Sequence, residues 1–406
     1  MLARPFVAEA LVVTQYYWPE PIGTAPYCTD LAELLAADGT VVQVATGRPH
    51  YPGNRIFPDY ADGGNDRQAV NGVRIERLRT WIPKKKDAVH RILHEFLFFA
   101  QGVIALATGR IKRRAFVLSV SPSVLAVLLG ALAKKWSGRH VALVHDIQSG
   151  LAAGLGMVGQ GLPLRAMRRF EALVLNRVDL VLVLSDEMRR QLVGQGVRTR
   201  VEVLPIWIDT EKIFPIMRRT ERAALALYSG NLGKKQALHQ ILDLAEELQR
   251  RETDLRIILR GDGSELSALT EETARRHLEN IEFHPLVPAA RLREGLADGD
   301  IHLVPQDPNA ADYAVPSKIY GIMAAARPFV ATAPPGTQLW SLQQETGAFL
   351  CVPPNDPAAF ADAVMALARQ PALRADLGFR GWRYVKANHA RVSVLNRFQS
   401  MVGHLG

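Results

Sequence analysis

Cysteine is scarce in this sequence, and its scarcity limits the kinds of protein that the chain can be. The 406 residues include two cysteines, Cys28 and Cys351, which lie far apart and lack the spacing of metal ligands. A disulfide framework is therefore excluded, and the low count is typical of a reducing compartment. We expect a cytoplasmic protein.

The sequence also lacks an uninterrupted apolar run of membrane-spanning length. Residues 116–133 are apolar and flanked by basic residues, but a Ser-Pro-Ser sequence at 121–123 interrupts them. This pattern predicts a strand, a turn and a helix rather than a span. Near the N-terminus, residues 10–14 resemble a buried first strand and not the apolar part of a cleavable signal.

Sequence signatures of nucleic-acid binding are missing as well: there is no zinc-finger spacing, no aromatic RNA-binding motif and no basic zipper. The net charge of +9 is nevertheless uneven, since residues 1–200 hold 26 Lys and Arg against 16 Asp and Glu, and the remainder hold 23 against 24. The excess is clustered at Lys84–Lys86, Arg110–Arg114, Lys134-Lys135 and Arg168-Arg169. This favours an anionic membrane or a phosphate-bearing substrate over nucleic acid, with a merely solvated basic face as the alternative.

Strand and helix patterns alternate along both halves of the chain. Runs of Val and Leu, such as 10–14, 178–185 and 301–305, separate amphipathic segments, which predicts parallel sheets covered on both faces. Because the chain is too long for one core of usual size, we predict an α/β protein with two doubly wound, Rossmann-like domains. The predicted bounds are 1–207 together with a returning helix at 388–406, and 208–387.

A glycine turn lies at the centre of the predicted second domain. The apolar run 223–227 leads into Tyr228-Ser-Gly-Asn-Leu-Gly-Lys-Lys, and a helical pattern begins at Leu238. A strand, glycine turn and helix in this order leave helix amides free, and Lys234 and Lys235 add positive charge. The turn suits a diphosphate, although an ordinary strand-to-helix turn has the same pattern.

Six segments in order resemble one enzyme family. They are YYWPEPIGTAPY with HYPGN, SPSVLAVLLGALA with HD, LPIWIDTEKIFP, SGNLGKKQ, RGDGSE and VPSKIYGIMAAARPFVAT. Together they are similar to the family 4 glycosyltransferases of GT-B fold, in the branch that includes the colanic acid biosynthesis glycosyltransferases. The resemblance implies two Rossmann-like domains facing a cleft and a retaining, metal-independent hexosyl transfer from a nucleoside-diphosphate sugar.

The resemblance also implies which residues bind the donor. Gly23 and Thr24 match the glycine turn beside the donor phosphates, and Lys235, with Lys234 and Gly230, matches the diphosphate site. Gly261 and Asp262 match a close backbone approach to the nucleotide, and His284 and Pro285 match the region that packs on its base. Ser317 and Lys318 match a Pro-Ser-Lys element that takes the same anion. No cofactor and no metal are implied, because the nucleotide sugar is a substrate.

His145 and Asp146 end a predicted strand, where the family places contacts to the sugar and acceptor. The resemblance implies that Asp146 orients the acceptor while the leaving phosphate takes its proton. The alternatives are a satisfied strand-end histidine for His145 and helix capping for Asp146. For residues near the site, we expect Arg260 to reach phosphate or solvent, Asp209 to cap a short turn and Trp207 to pack.

The chain departs from the family at two positions. The two glutamates typical of the family fall at Tyr313 and Gly321, neither of which offers a carboxylate to a ribose. A non-catalytic nucleotide-sugar binder and a GT-B nucleotide-sugar epimerase therefore remain alternatives. A hydride-transferring enzyme is disfavoured, because no complete GxGxxG follows the first strand.

The predicted long helix 88–108 carries more apolar residues than one core-facing stripe requires. With basic clusters before and after it, the helix could lie on the inner face of the cell membrane and meet a polyprenyl-diphosphate-linked glycan acceptor. The alternative is a helix buried on two sides.

Overall fold

The computed structural model describes residues 7–21, 23–51, 53–83, 88–121, 123–150, 161–216, 224–233, 236–308 and 316–405. The chain forms two compact units, one made of residues up to Leu204 and from Leu395, the other of Pro205–Val394. Each is an α/β unit built on one sheet, as the alternation of strand and helix patterns predicts. The prediction placed the two changes of unit at 207/208 and 387/388.

The first unit contains an eight-stranded sheet in the order β3-β4-β2-β1-β5-β6-β7-β8. Its strands are β1 (Glu9–Thr14), β2 (Val41–Gly47), β3 (Arg67–Val70), β4 (Val73–Leu78), β5 (Arg114–Val120), β6 (Lys134–Val144), β7 (Leu180–Val183) and β8 (Val201–Val203). All neighbours pair in parallel except β3 with β4. The parallel strands are almost wholly buried, because helices cover both faces of such a sheet.

The helices of this unit have bounds close to those predicted. They are α1 (Ala25–Ala37), α2 (Ala88–Ala107), α3 (Val124–Ala133), α4 (Leu162–Leu175), α5 (Asp186–Gly194) and α13 (Arg391–Gly403), which is numbered after the helices of the second unit. Leu11, Val13, Phe98, Val117 and Leu129 are fully buried together and form part of the core between α2, α3 and the sheet. Strand β6 begins at Lys134, directly after α3 ends at Ala133.

Strand β3 was not predicted, although a short signal for it exists. Asn71 and Gly72 connect β3 to β4 and both have positive φ, 49° and 80°. Asn-Gly is the preferred pair for such two-residue hairpins. The four residues before this pair, Arg67–Val70, are too polar for the sequence to identify them as a strand. The result is an antiparallel strand at the edge of an otherwise parallel sheet.

The second unit contains a six-stranded parallel sheet in the order β11-β10-β9-β12-β13-β14. Its strands are β9 (Leu225–Ser229), β10 (Arg256–Arg260), β11 (Ile281–His284), β12 (Ile301–Pro305), β13 (Phe329–Thr332) and β14 (Leu350–Val352). Its helices are α6 (His239–Arg250), α7 (Leu266–Arg275), α8 (Leu292–Ala297), α9 (Lys318–Ala324), α10 (Gln338–Thr346), α11 (Pro357–Arg369) and α12 (Pro371–Asn388). The apolar face of α6 packs into the core with β9 and β10.

Near the two ends of the second unit, backbone hydrogen bonds connect Ile208 with His389 and Arg391. Ile208 donates its amide hydrogen to His389 and accepts from Arg391, at 2.8 and 2.9 Å. The predicted break after Asn388 is confirmed, since α12 ends there and α13 begins at Arg391. Asp209 accepts from the Glu211 and Lys212 amides at 3.2 Å each, the predicted capping role, and Trp207 is buried as predicted.

Helix α2 leaves much of its apolar surface uncovered. Val89, Ile92 and Phe96 are 73%, 63% and 54% exposed, whereas Phe98 is fully buried. Within the described residues, Val89–Ala107 is the one stretch long and apolar enough to cross a membrane, and 28% of it is buried. One such helix is weak evidence for a span. These exposed side chains show that α2 is not buried on two sides.

Candidate active site

In the second unit, the loops after β9, β10 and β11 lie side by side. Gly230 donates its amide hydrogen to the Arg260 carbonyl at 2.9 Å, and Gly261 donates to the His284 carbonyl at 3.0 Å. Because parallel strands end at one edge of a sheet, this is the edge where doubly wound sheets bind ligands. The structure thus brings together three of the loops predicted to hold the donor.

Lys318 is the most unusual charged group of this edge. Its Nζ lies 3.6 Å from the centre of the Tyr228 ring. It is also close to Gly230, since a Cβ atom added to that glycine would lie 3.5 Å from Nζ. Although the residue is only half-buried, Nζ is buried and has no hydrogen-bond partner among the described residues. Burial lowers the pKa of this ammonium to about 7. An unpaired buried cation is costly unless an anion occupies the space beside it.

The other predicted residues of the second unit have more ordinary surroundings. Ser317 is exposed and precedes α9, a helix of seven residues, without a side-chain cap. The His284 side chain is exposed and contacts Glu282 at 3.1 Å, and Pro285 is also exposed. Lys234 and Lys235 lie outside the described residues, as does Tyr313.

The glycines after β10 have a structural explanation in this unit. A Cβ on Gly261 would lie 2.0 Å from the Gly230 carbonyl oxygen, and one on Gly263 would lie 2.2 Å from the Leu232 carbonyl oxygen. Leu232 also donates its amide hydrogen to the Asp262 carbonyl at 2.9 Å, while the Asp262 side chain is exposed. Glycine is required here so that two loops can pack backbone to backbone.

The expectation for Arg260 was wrong. Its guanidinium is buried and donates to the Gly295 carbonyl at 2.9 Å and to the Asp298 carboxylate at 3.0 Å. Both interactions lie within the second unit and tie β10 to α8. Arg260 is therefore a structural residue and reaches neither phosphate nor bulk solvent.

Gly321 lies in α9 and is buried. A Cβ there would meet only the Leu296 side chain, at 3.8 Å. Close packing therefore does not require glycine at this position, and the structure has no carboxylate there for a ribose.

In the first unit, the start of α1 and the end of β6 carry buried polar atoms without partners. The atoms are Gln15 Nε2, Thr24 Oγ1 and His145 Nε2, none of which has a hydrogen bond among the described residues. Thr24 precedes α1, but its side chain does not accept a hydrogen bond from the first amides of the helix. Unsatisfied polar atoms at the carboxyl edge of a sheet are what a polar ligand would satisfy.

Gly23 is held in the left-handed region, with φ of 73°, and a Cβ there would contact the Tyr51 ring at 3.5 Å. This conformation favours glycine and turns the chain into α1. Gly23 and Thr24 are therefore placed at the carboxyl edge, as a residue beside the donor phosphates would need to be.

His145 is buried beside Tyr27, with ring centres 5.2 Å apart. Burial lowers the pKa of His145 to about 4, so its ring is neutral near pH 7 and can donate or accept one hydrogen bond at a ligand. Asp146 is half-buried, and its carboxylate has no hydrogen bond in the described part of the chain. Among the described residues Nε2 has no partner, so this part of the structure gives no support to the satisfied-histidine alternative.

Sequence reasoning missed the role of Glu20. Its Oε1 accepts from the His50 and Tyr51 amides at 2.9 Å each, and its Oε2 accepts from the Tyr17 amide at 3.2 Å. Burial raises the pKa of this carboxyl to about 7 in spite of these hydrogen bonds. Glu20 thus joins the loops after β1 and β2, which surround Gly23. A carboxylate inside an otherwise apolar and aromatic loop was the available signal.

The comparisons with known proteins identify the family of the chain. Residues 23–207 match the Glycosyl transferase 4-like domain, and residues 223–370 match Glycosyl transferases group 1. The two models follow each other as in one GT-B chain, and with the fold they define the chain as a family 4-like glycosyltransferase.

Among individual proteins, the chain is 28% identical to the colanic acid biosynthesis glycosyl transferase WcaI of Escherichia coli K12, over 96% of this chain and 98% of that one. Sucrose-phosphate synthase from Thermosynechococcus elongatus has a TM-score of 0.76 at 18% identity, with 98% of each chain covered. HepE of Anabaena, solved with UDP and glucose, has a TM-score of 0.70 at 12% identity, covering 98% of this chain and 99% of that chain. These likenesses confirm the predicted fold class.

Proposed function

We propose that this glycosyltransferase moves a hexosyl group from a nucleoside-diphosphate sugar to a lipid-linked or growing surface-polysaccharide acceptor, with retention of configuration. The family models support sugar transfer, and the similarity to WcaI favours polysaccharide biosynthesis. The proposed donor is consistent with the UDP in the HepE structure.

The single observation that carries the proposal is the buried Lys318 ammonium beside the glycine turn, which has no hydrogen-bond partner among the described residues. A leaving nucleoside diphosphate develops negative charge, and a buried cation with no other partner stabilises that charge strongly. We propose that Lys318, with Ser317, Lys234, Lys235 and the loops at Gly230, Gly261, Asp262, His284 and Pro285, binds the donor without a metal ion and without a cofactor. We propose separately that Gly23 and Thr24 of the first unit contact the donor phosphates.

On the acceptor side, we propose that Asp146 orients the attacking hydroxyl and that neutral His145 binds a sugar hydroxyl through Nε2. The leaving phosphate accepts the hydroxyl proton, so no strong general base is required.

We also propose that the protein acts in the cytoplasm and binds the inner face of the cell membrane through α2. The apolar residues exposed on α2 are followed by the exposed basic residues Lys112 and Arg113, a combination that suits anionic lipid headgroups. A polyprenyl-diphosphate-linked acceptor would be presented there.

The test is whether donor is consumed and what is formed. The full chain is incubated with UDP-, GDP-, dTDP- and ADP-sugars and with membrane extracts carrying lipid-linked glycans, and nucleoside diphosphate release is measured with and without chelator. The proposal predicts metal-independent release with one donor, and an α product from an α donor by NMR. Binding without consumption would identify a non-catalytic binder, and conversion of the donor to another nucleotide sugar would identify an epimerase.

A further inference from the structure

A cavity of about 520 Å³ in the first unit is rich in arginine. We call it the arginine pocket; its lining residues are Gly63, Gly64, Asp66, Arg67, Arg79 and Arg110. Three of the six are arginines and one is an aspartate, which leaves an excess of two positive charges around the cavity. The proposed donor site uses none of these residues.

Part of the arginine pocket lies at the edge of the sheet where the first unit carries its candidate residues. Arg48 follows β2 directly and Arg79 follows β4 directly, and both contact Asp66 at 2.7 Å. Because β1, β2 and β4 are parallel, their carboxyl ends share one edge with Gln15 and Thr24. The pocket therefore lies on the side of the unit proposed to receive the acceptor.

Two buried carboxylates organise the arginines but do not neutralise them. Asp66 is shared by Arg48 and Arg79. Glu76 is shared by Arg67, at 3.1 Å, and Arg110, at 2.8 Å from Nε. Each carboxylate thus serves two guanidinium groups, and although the charge of Asp62 also acts on Arg48, the four arginines outnumber these three carboxylates.

Several donors of this cluster are free for a ligand. In the described part of the chain, Arg67 and Arg79 each use only Nε in a hydrogen bond, and their side chains are 69% and 66% exposed. Gly63 allows the groups to converge: a Cβ there would lie 2.2 Å from Arg48 Nη2 and 2.6 Å from Arg79 Nη2. Its φ of 87° also favours glycine.

We propose that the arginine pocket binds an oxyanion carried by the acceptor, either its diphosphate or the carboxylate of an acidic sugar. Guanidinium groups present planar pairs of donors that match both oxyanions, and a shared net charge attracts them from solution. The identity of the ligand as an acceptor rests on the proposed glycosyl transfer. The capacity of the pocket to bind the anion does not depend on that transfer.

The test is calorimetric titration of the full chain with inorganic pyrophosphate and, separately, with methyl glucuronide. The titrated protein carries Lys318→Met, which removes an ammonium from the proposed donor site, the other place where an anion could bind. We expect saturable binding of at least one probe, weakened about tenfold by Arg79→Gln and by Arg67→Gln. Arg74→Gln is the matched control, since Arg74 is exposed on the same strand β4 and does not line the pocket; it should change affinity less than twofold.

The probes distinguish the source of the oxyanion: saturation by pyrophosphate alone indicates a diphosphate, and saturation by the glucuronide alone indicates an acidic sugar. Failure of both probes to saturate at low-millimolar concentration would overturn the proposal, as would equal weakening by Arg74→Gln. Unfolding temperatures identify any variant that does not fold. Since no turnover is needed, a failed transfer assay would refute the proposed function and leave this result unchanged.

Discussion

The Lys318 ammonium lies over the face of the Tyr228 ring, with 3.6 Å between Nζ and the ring centre. A cation–π contact offsets part of the cost of burying the charge, but it provides no hydrogen-bond acceptor. Burial therefore disfavours the charged form of Lys318, which is the form that an anion beside the glycine turn would bind. A bound anion at this place recovers that cost, which is why the pair is central to the functional account.

Donor binding should be linked to proton uptake. Burial lowers the pKa of Lys318 to about 7 when no donor is bound, so at pH 8 most molecules hold a neutral amine. A bound diphosphate favours the charged form. We expect uptake of up to about one proton on UDP or GDP binding at pH 8, and weaker binding as pH rises above 7. Titration calorimetry in buffers of different ionisation enthalpy measures this uptake. Binding with no proton exchange in wild type would contradict it.

The stability of the first unit should depend on pH through Glu20. Burial raises the pKa of this carboxyl from 4.5 to about 7, so its contribution to stability is fully present below pH 4.5 and is lost as pH rises through 7. Relative to Glu20→Gln, the wild type should lose roughly 2–3 kcal/mol between pH 4.5 and 7.5. Denaturant unfolding of both proteins measures this difference, in which other titrating groups cancel. A difference independent of pH would show that folding does not shift the pKa of Glu20 and would contradict this prediction.

Asp146→Asn should reduce turnover while leaving donor affinity nearly intact, because the proposed role of Asp146 is to orient the acceptor. We expect a fall of at least tenfold in kcat. Asp59→Asn, an exposed change in the same unit, is the control and should alter neither quantity. Parallel loss of donor affinity and turnover in Asp146→Asn would indicate a structural role instead.

Membrane attachment should depend on the exposed face of α2. Phe96→Ser is expected to reduce co-sedimentation with anionic vesicles at low salt severalfold, because it removes an apolar side chain available for insertion. Phe379→Ser is the matched control, since Phe379 is similarly exposed on α12 in the second unit. No vesicle binding by the wild type, or equal losses in both variants, would argue against α2 as the attachment site.

Much of the fold could be predicted because its signals are local. Runs of Val and Leu between amphipathic segments identify β1, β7 and β12 as buried parallel strands, and the Asn388-His389 break divides α12 from α13. Strand β3 was missed because its four residues are too polar to resemble a buried strand. Where a segment is short or mixes polar and apolar residues, its hydrophobic periodicity does not identify the strand.

The site was harder to predict, because its properties depend on contacts between distant residues. Lys318 was identified by its place after Pro-Ser, but its position over Tyr228 depends on how β9 and α9 meet in the fold. Arg260 was misjudged because its partner Asp298 lies on another element. Glu20 was overlooked since nothing local shows that it accepts amides from the loop after β2.

The most direct test of the central claim is UDP and GDP affinity in Lys318→Met against Lys386→Met. Lys386 is an exposed lysine over the Trp382 ring in the same unit, so the two changes remove the same charge from similar aromatic contacts. The account predicts that Lys318→Met weakens binding of the preferred nucleotide by roughly 1.5–3 kcal/mol without lowering the unfolding temperature, and that Lys386→Met does neither. Unchanged affinity in Lys318→Met, or an equal loss in both variants, would contradict it.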